Sequence, residues 1–185
     1  MELKDEIIDG VIEEFNEKGL KFTMDDISRR LGMSKRTLYT YVEDKETLFI
    51  EMVDYVFTAI KESEKAIIND NSLDVVDKIK KILIVLPAKY KTLDYRQLYD
   101  LKIKFPRTYA KIENRLETDW EATLELLNQA MKEGKIRQIS LPIFQAIISG
   151  TIENFLSRTI LIDNGITYEN ALVEMLDIII NGMLV

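Results

Sequence analysis

The 185-residue chain has neither cysteine nor histidine. That excludes disulfides, thiol chemistry, Cys–His and Ser–His catalytic arrangements, and zinc sites of the usual nitrogen or sulfur type. Carboxylates and lysines remain, so acid–base chemistry is unsupported rather than excluded. Proline and glycine are scarce, three and seven residues, which leaves little to interrupt helices. Long apolar runs are also missing. Ile82–Pro87 ("ILIVLP") and Ile178–Val185 ("IIINGMLV") fall far short of the roughly 20 residues that cross a bilayer. The opening "MELKDEIIDG" is acidic and amphipathic, without the basic-then-apolar order of a secretory signal. The expectation is a cytoplasmic protein with no membrane segment, no metal site and no cofactor.

What is present is apolar and helical. An apolar fraction of 46% suffices for packed cores, and the net charge of −7 argues against a protein that coats nucleic acid over its whole surface. Between Leu20 and Val42, however, Lys21, Arg29, Arg30, Lys35 and Arg36 face only Asp25 and Asp26, a local net charge of +3. A basic patch on an acidic body would concentrate affinity for polyanions there.

Periodicity predicts an all-α chain of about nine helices, three or four in an N-terminal unit and five in a larger bundle. The first runs from about Leu3 to Lys18, with Gly19 as a C-terminal cap. Thr23 and Asp26 form a capping-box pattern ahead of Met24–Leu31. Ser34 caps Lys35–Tyr41, and Asp44 caps a helix running from Lys45 toward Ile68. Beyond the boundary at Ile68–Asp74 the expected helices are Leu73–Ala88, Leu93–Lys104, Pro106–Lys132, Leu141–Ile162 and Thr167–Leu184.

Two short helices separated by "LGMS", Leu31–Ser34, make a helix-turn-helix. Gly32 permits the turn and Ser34 satisfies free N–H groups of the next helix. With Leu38 turned inward, Lys35, Arg36, Thr37, Tyr39 and Thr40 cover mostly outer faces. Arg and Lys reach phosphates or guanine edges, Thr meets a base or a thymine methyl, and Tyr reaches phosphate. Lys45 opens the next helix, where free N–H groups also favour a phosphate. The bland alternative is solvated charges and half-buried packing tyrosines. Agreement of spacing, caps and local charge favours the DNA face.

Phe22–Leu48, "FTMDDISRRLGMSKRTLYTYVEDKETL", resembles the DNA-binding domain of TetR-family transcriptional regulators. The matching positions are Thr23, Ile27, Leu31, Gly32, Ser34, Thr37, Leu38, Tyr39, Tyr41, Lys45, Glu46 and Leu48. The resemblance implies an all-helical homodimer with residues 1–46 as DNA-binding domain and residues 47–185 as effector-sensing and dimerisation domain. It implies a double-stranded DNA operator of palindromic form, a small-molecule effector and, as is usual in the family, repression. Tyr39 and Lys45 would meet phosphate, and Lys35, Arg36 and Thr37 would face the major groove. With Thr23, Ser34, Thr40 and Tyr41 these make the expected DNA-binding set. Position 36 is often glycine in the family and is arginine here. Valine at position 42 and serine at position 28 stand where phenylalanine and alanine are common.

Outside residues 1–50 the resemblance is one of layout. Leu141–Ile162 carries only two charges, Glu153 and Arg158, and its apolar surface is wider than one core-facing stripe requires. The expected dimer interface is Phe144, Ile148, Ile152 and Phe155 with Leu172, Met175, Leu176 and Ile179 of the last helix; a fully buried monomer core is the alternative. Tyr90, Tyr95, Tyr99, Phe105, Tyr109 and Trp120 are the candidate ligand-pocket aromatics, with core packing the better reading of Trp120. A small apolar or aromatic effector is the default for such a pocket. Two rival functions remain: an interaction or scaffold protein keeping the helix-turn-helix only as a packing unit, and a small helical enzyme using carboxylates.

Overall fold

The computed structural model describes the backbone of residues 2–87 and 98–185, and side chains at 3–87 and 100–185. Among the described residues eleven α-helices follow one another: α1 Glu2–Lys18, α2 Met24–Arg30, α3 Lys35–Leu38, α4 Lys45–Ile68, α5 Val75–Leu83, α6 Leu98–Lys104, α7 Pro106–Thr118, α8 Glu121–Lys132, α9 Leu141–Ser157, α10 Ile160–Asp163 and α11 Tyr168–Asn181. Among the described residues the only β feature is an isolated antiparallel bridge between Ile136 and Leu184. The all-α fold with an N-terminal helix-turn-helix is as expected. None of the described helices is long and apolar enough to cross a membrane.

The N-terminal helices begin where side chains can take their free N–H groups. Thr23 Oγ1 accepts from Asp26 N at 3.3 Å while Asp26 Oδ2 accepts from Thr23 N at 2.7 Å, a complete capping box. Ser34 Oγ accepts from Thr37 N at 3.0 Å, and Asp44 Oδ1 from Thr47 N at 2.7 Å. Gly32 turns the chain between α2 and α3 at φ +64°, a conformation that costs a residue with a Cβ.

Two expected long helices are broken. Pro106–Lys132 divides at Asp119–Trp120, and the Trp120 indole N–H donates at 2.7 Å to the Leu116 carbonyl, which a continuous helix would have paired with the Trp120 amide. Leu141–Ile162 divides at Arg158, whose φ −134° and ψ 166° are extended. The recognition helix ends at Leu38 rather than Tyr41, closing in tight turns in which Thr40 N and Tyr41 N bond the carbonyls of Thr37 and Leu38.

Two cores organise the molecule. One joins Ile7, Val11, Phe15, Phe22, Ile27, Leu38, Leu48 and Phe49 of α1–α4 to Leu101, Ile112 and Leu156. Its ring stack has Phe49 at 6.0 Å from Phe15, 5.3 Å from Phe22 and 5.0 Å from Phe105; burying one such ring contributes about 2–3 kcal/mol. The other holds Val75, Ile79, Leu127, Phe144, Ile148, Leu172, Met175, Leu176 and Ile180. The 24-residue α4, about 36 Å long at helical rise, runs from the first toward the second. A cavity of about 200 Å³ lies where they meet.

Candidate nucleic-acid interface and internal cavity

The helix-turn-helix presents a short, anchored reading helix. Leu38 is wholly buried and Val42 nearly so, while Tyr39 and Tyr41 keep 49% and 44% of their surface exposed. Arg36 points to solvent with no hydrogen bond or ion pair among the described residues. Lys35 is exposed too, but its ammonium lies 2.5 Å from Asp25 Oδ1 on α2. That acid was not among the expected site residues. Ten positions separate the pair, and no local spacing rule joins them.

The hydroxyls of the expected set have local work. Thr23 and Ser34 are caps, Thr37 Oγ1 lies 2.8 Å from Ser34 Oγ, and Thr40 Oγ1 donates to the Thr37 carbonyl at 2.6 Å. All four remain exposed. Lys45 is placed differently from the expectation of a phosphate contact. Its ammonium donates to the carbonyl oxygens of Leu20, at 2.7 Å, and of Phe22, and stands 4.2 Å from the Phe22 ring centroid. Burial lowers its pKa from the ordinary lysine value. These carbonyls end the turn before α2, so Lys45 clasps α4 to that corner.

Arg30 faces away from the reading helix, toward α1. Its guanidinium meets Glu14 at 2.7 Å, Glu13 at 2.9 Å and Glu17 at 2.6 Å. Of the basic residues between Leu20 and Val42, Arg30 is therefore a staple, leaving Arg36 and Lys35 as the outward charges of the reading helix.

The cavity is lined by α4, α5, the chain after α5, α7, α8, α9 and α11. Of the expected aromatics, Trp120 lines it, joined by Phe57 and Tyr168. Phe105 and Tyr109 do not: Phe105 stacks on Phe49 at the start of α4, and Tyr109 is buried with the Lys102 ammonium 4.7 Å from its ring. Both sit near the proline that starts α7, too close to the reading head to reach the cavity. Tyr90 and Tyr95 lie outside the described residues, as does the side chain of Tyr99. The wall also contains Lys61, Glu64, Arg115 and Asp119, which were not among the expected pocket residues. No group of acidic residues among those described is placed to hold a metal ion.

The expected dimer residues mostly belong to the subunit's own second core. Phe144, Ile148, Leu172, Met175 and Leu176 are buried there, and Ile152, Phe155 and Ile179 are partly buried against it. The outer face of α9 is instead formed by Ile143, Ala146, Ile147 and Gly150, with Val173 and Ile178 exposed on α11. The inner faces of both helices are claimed by the core; the outer face of α9 is largely apolar, whereas on α11 Val173 and Ile178 are exposed beside Glu174 and Asp177.

Residues 7–52, spanning α1 to the first turns of α4, match the family described as bacterial regulatory proteins, tetR family. The chain is similar to the uncharacterized HTH-type transcriptional regulator YvaF of Bacillus subtilis (strain 168), 30% identical over 167 residues, covering 90% of this chain and 88% of that protein. It is similar, at 26% identity over 62% of this chain and 56% of the other, to the biofilm operon icaADBC HTH-type negative transcriptional regulator IcaR of Staphylococcus aureus (strain Newman). In three dimensions it resembles the transcriptional regulator FadR of Bacillus subtilis in complex with stearoyl-CoA, with a TM-score of 0.68 at 18% identity over 96% of this chain and 98% of that one. A relative at 30% identity along nearly the whole chain, with the reading head matched to the family itself, places this protein in the TetR family of bacterial transcriptional regulators.

Proposed function

We propose that this regulator is a ligand-controlled repressor that binds a palindromic operator as a homodimer, with residues 1–46 as reading head and residues 47–185 as sensing and dimerising body. The observation carrying the proposal is α3 itself. It buries one residue, Leu38, and turns Lys35 and Arg36 outward, and the turns that close it expose Tyr39 and Tyr41. A packing unit needs no such face. Inserted in a major groove, Arg36 reaches a base edge or a phosphate and the tyrosines reach phosphates. Two-fold symmetry then sets the half-sites about one helical turn, roughly 34 Å, or a multiple of it apart. Repression is what the name of IcaR states for that relative.

The cavity supplies control. Its wall takes Met52, Val53, Val56 and Phe57 from α4, whose first turn carries the reading head, and Ile112, Arg115 and Leu116 from α7. The start of α7 also holds the start of α4: Glu46 Oε1 accepts from Arg107 N at 3.1 Å, and the Glu46 carbonyl from Thr108 Oγ1 at 3.4 Å. A ligand that alters how α7 lies on α4 changes the separation of the two heads, a two-state mechanism.

Selecting bound fragments from genomic DNA, followed by gel retardation, tests the reading. Retention should fall steeply with salt as phosphate contacts are lost. In the Arg36→Ala variant a base-reading arginine shows as relaxed preference at one operator position, about 1–3 kcal/mol, whereas a phosphate contact weakens all sequences equally. No retention of any fragment at low salt refutes the proposal.

A further inference from the structure

The chemistry of the cavity wall restricts what it can hold. Apart from four charged residues the lining is almost entirely aliphatic and aromatic, and those four lie as two opposite-charge pairs, although Arg115 Nε and Asp119 Oδ2 are buried without a hydrogen-bond partner among the described residues. Lys61 Nζ lies 2.8 Å from Glu64 Oε2 and donates at 2.6 Å to the Asp119 carbonyl. The Arg115 guanidinium lies 3.2 Å from Asp119 Oδ2 and covers the Phe57 ring at 5.5 Å. Among the described residues the wall therefore carries as much positive as negative charge. An anionic ligand entering it would have to break a lysine or arginine away from its carboxylate, stranding a partly buried acid. A cationic ligand would strand a base in the same way. Either exchange leaves a charge poorly compensated in an apolar site. A neutral ligand disturbs neither pair.

Size gives the second restriction. The volume of about 200 Å³, in a pocket that is partly open, modestly exceeds the roughly 150 Å³ of a dry cavity that accepts benzene and sizes the part of a ligand held inside. We propose that the cavity takes an uncharged, predominantly apolar molecule with about eight to twelve non-hydrogen atoms inside the wall. That this molecule is the effector rests on the reading of the cavity given under Proposed function. Phe57, Trp120 and Tyr168 lie in the wall among aliphatic side chains, so a flat ring and a short chain both find matching surface.

The protein carries its own reporter, because its single tryptophan, Trp120, lines the cavity. Three probes of nearly equal size isolate the charge: octan-1-ol, octanoate and octylammonium. Octan-1-ol should shift Trp120 emission and raise the melting temperature with an affinity at least tenfold better than either ion. Filling the cavity in Val56→Phe should abolish the emission change while the variant stays folded. Ile152→Phe, in the α9 part of the wall, makes the same test should the first variant not fold. Octanoate or octylammonium binding as tightly as octan-1-ol overturns the proposal, as does an octan-1-ol response that survives in a folded, filled variant, or no response at all. Gel retardation with the protein saturated by octan-1-ol separates the underlying reading. Binding without any change in DNA retention counts against the effector role and leaves the ligand class standing.

Discussion

On the reading helix, single side chains divide between building the corner and facing outward. Ser34, Thr37 and Thr40 close hydrogen bonds within the corner, and Arg36 is left without a partner among the described residues. Lys35 stands between the two roles, held by Asp25 with about half of each side chain exposed. Such an exposed pair contributes little to stability, about 0–1 kcal/mol, so Asp25 can be changed without unfolding the head. Its carboxylate competes with phosphate for Lys35 and repels the DNA backbone. Asp25→Asn is therefore expected to raise affinity for non-operator DNA about fivefold, ~1 kcal/mol, and to steepen the salt dependence by about one phosphate contact. Gel retardation over a salt series measures both, and unchanged values would show the pair to be irrelevant to DNA. The caps at Thr23, Ser34 and Asp44 were legible in the sequence because they act within three residues. The partner of Lys35 and the inward turn of Lys45 were not, because each depends on how α2 and the preceding turn meet elements distant in sequence.

Helix junctions carry the next level of specification. α1 and α2 are joined by Arg30, whose three carboxylate partners all lie on α1. Glu14, at the centre, is buried, which pushes its carboxyl up; hydrogen bonds from Lys18 and Arg30 outweigh this and hold it below its usual 4.5. A carboxyl depressed on folding stabilises the protein above its unfolded pKa and loses that contribution as pH falls through the lower folded value. Arg30→Ala should cost about 2 kcal/mol at pH 7, since it leaves a buried acid with one cation. The melting temperature of the native protein should decline below pH 4.5, and the variant's should decline less over the same interval. Parallel curves for the two proteins would exclude Arg30 as the cause. Other junctions were hidden from periodicity. Nothing like proline or glycine marks the break at Asp119–Trp120, which depends on the indole satisfying the Leu116 carbonyl.

Among the described residues, an apolar face is left uncovered. Composition showed that the apolar surfaces of α9 and α11 are wider than one core-facing stripe requires, which fits a core and an interface equally, and only packing decides which face serves which. With Phe144, Ile148, Leu172 and Met175 inside the subunit, the outward stripe Ile143, Ala146, Ile147 and Gly150 repeats at three- and four-residue steps along α9. Gly150 has open space where a Cβ would stand, so a second helix can approach its backbone closely. Ile178, 75% exposed on α11, lies near the acids Glu174 and Asp177. A second copy laid on this face would bury the isoleucines and set two reading heads on one duplex. Ile147 is 48% exposed, so Ile147→Glu should leave the subunit's fold and melting cooperativity almost intact. In a symmetric dimer it would place two new carboxylates in one apolar seam. Sedimentation should then report a monomer at concentrations where the native protein is a dimer. Operator affinity should fall at least about a hundredfold, because the two heads no longer bind as a linked pair. A variant that keeps both dimeric mass and operator affinity would move the interface to another face of the molecule.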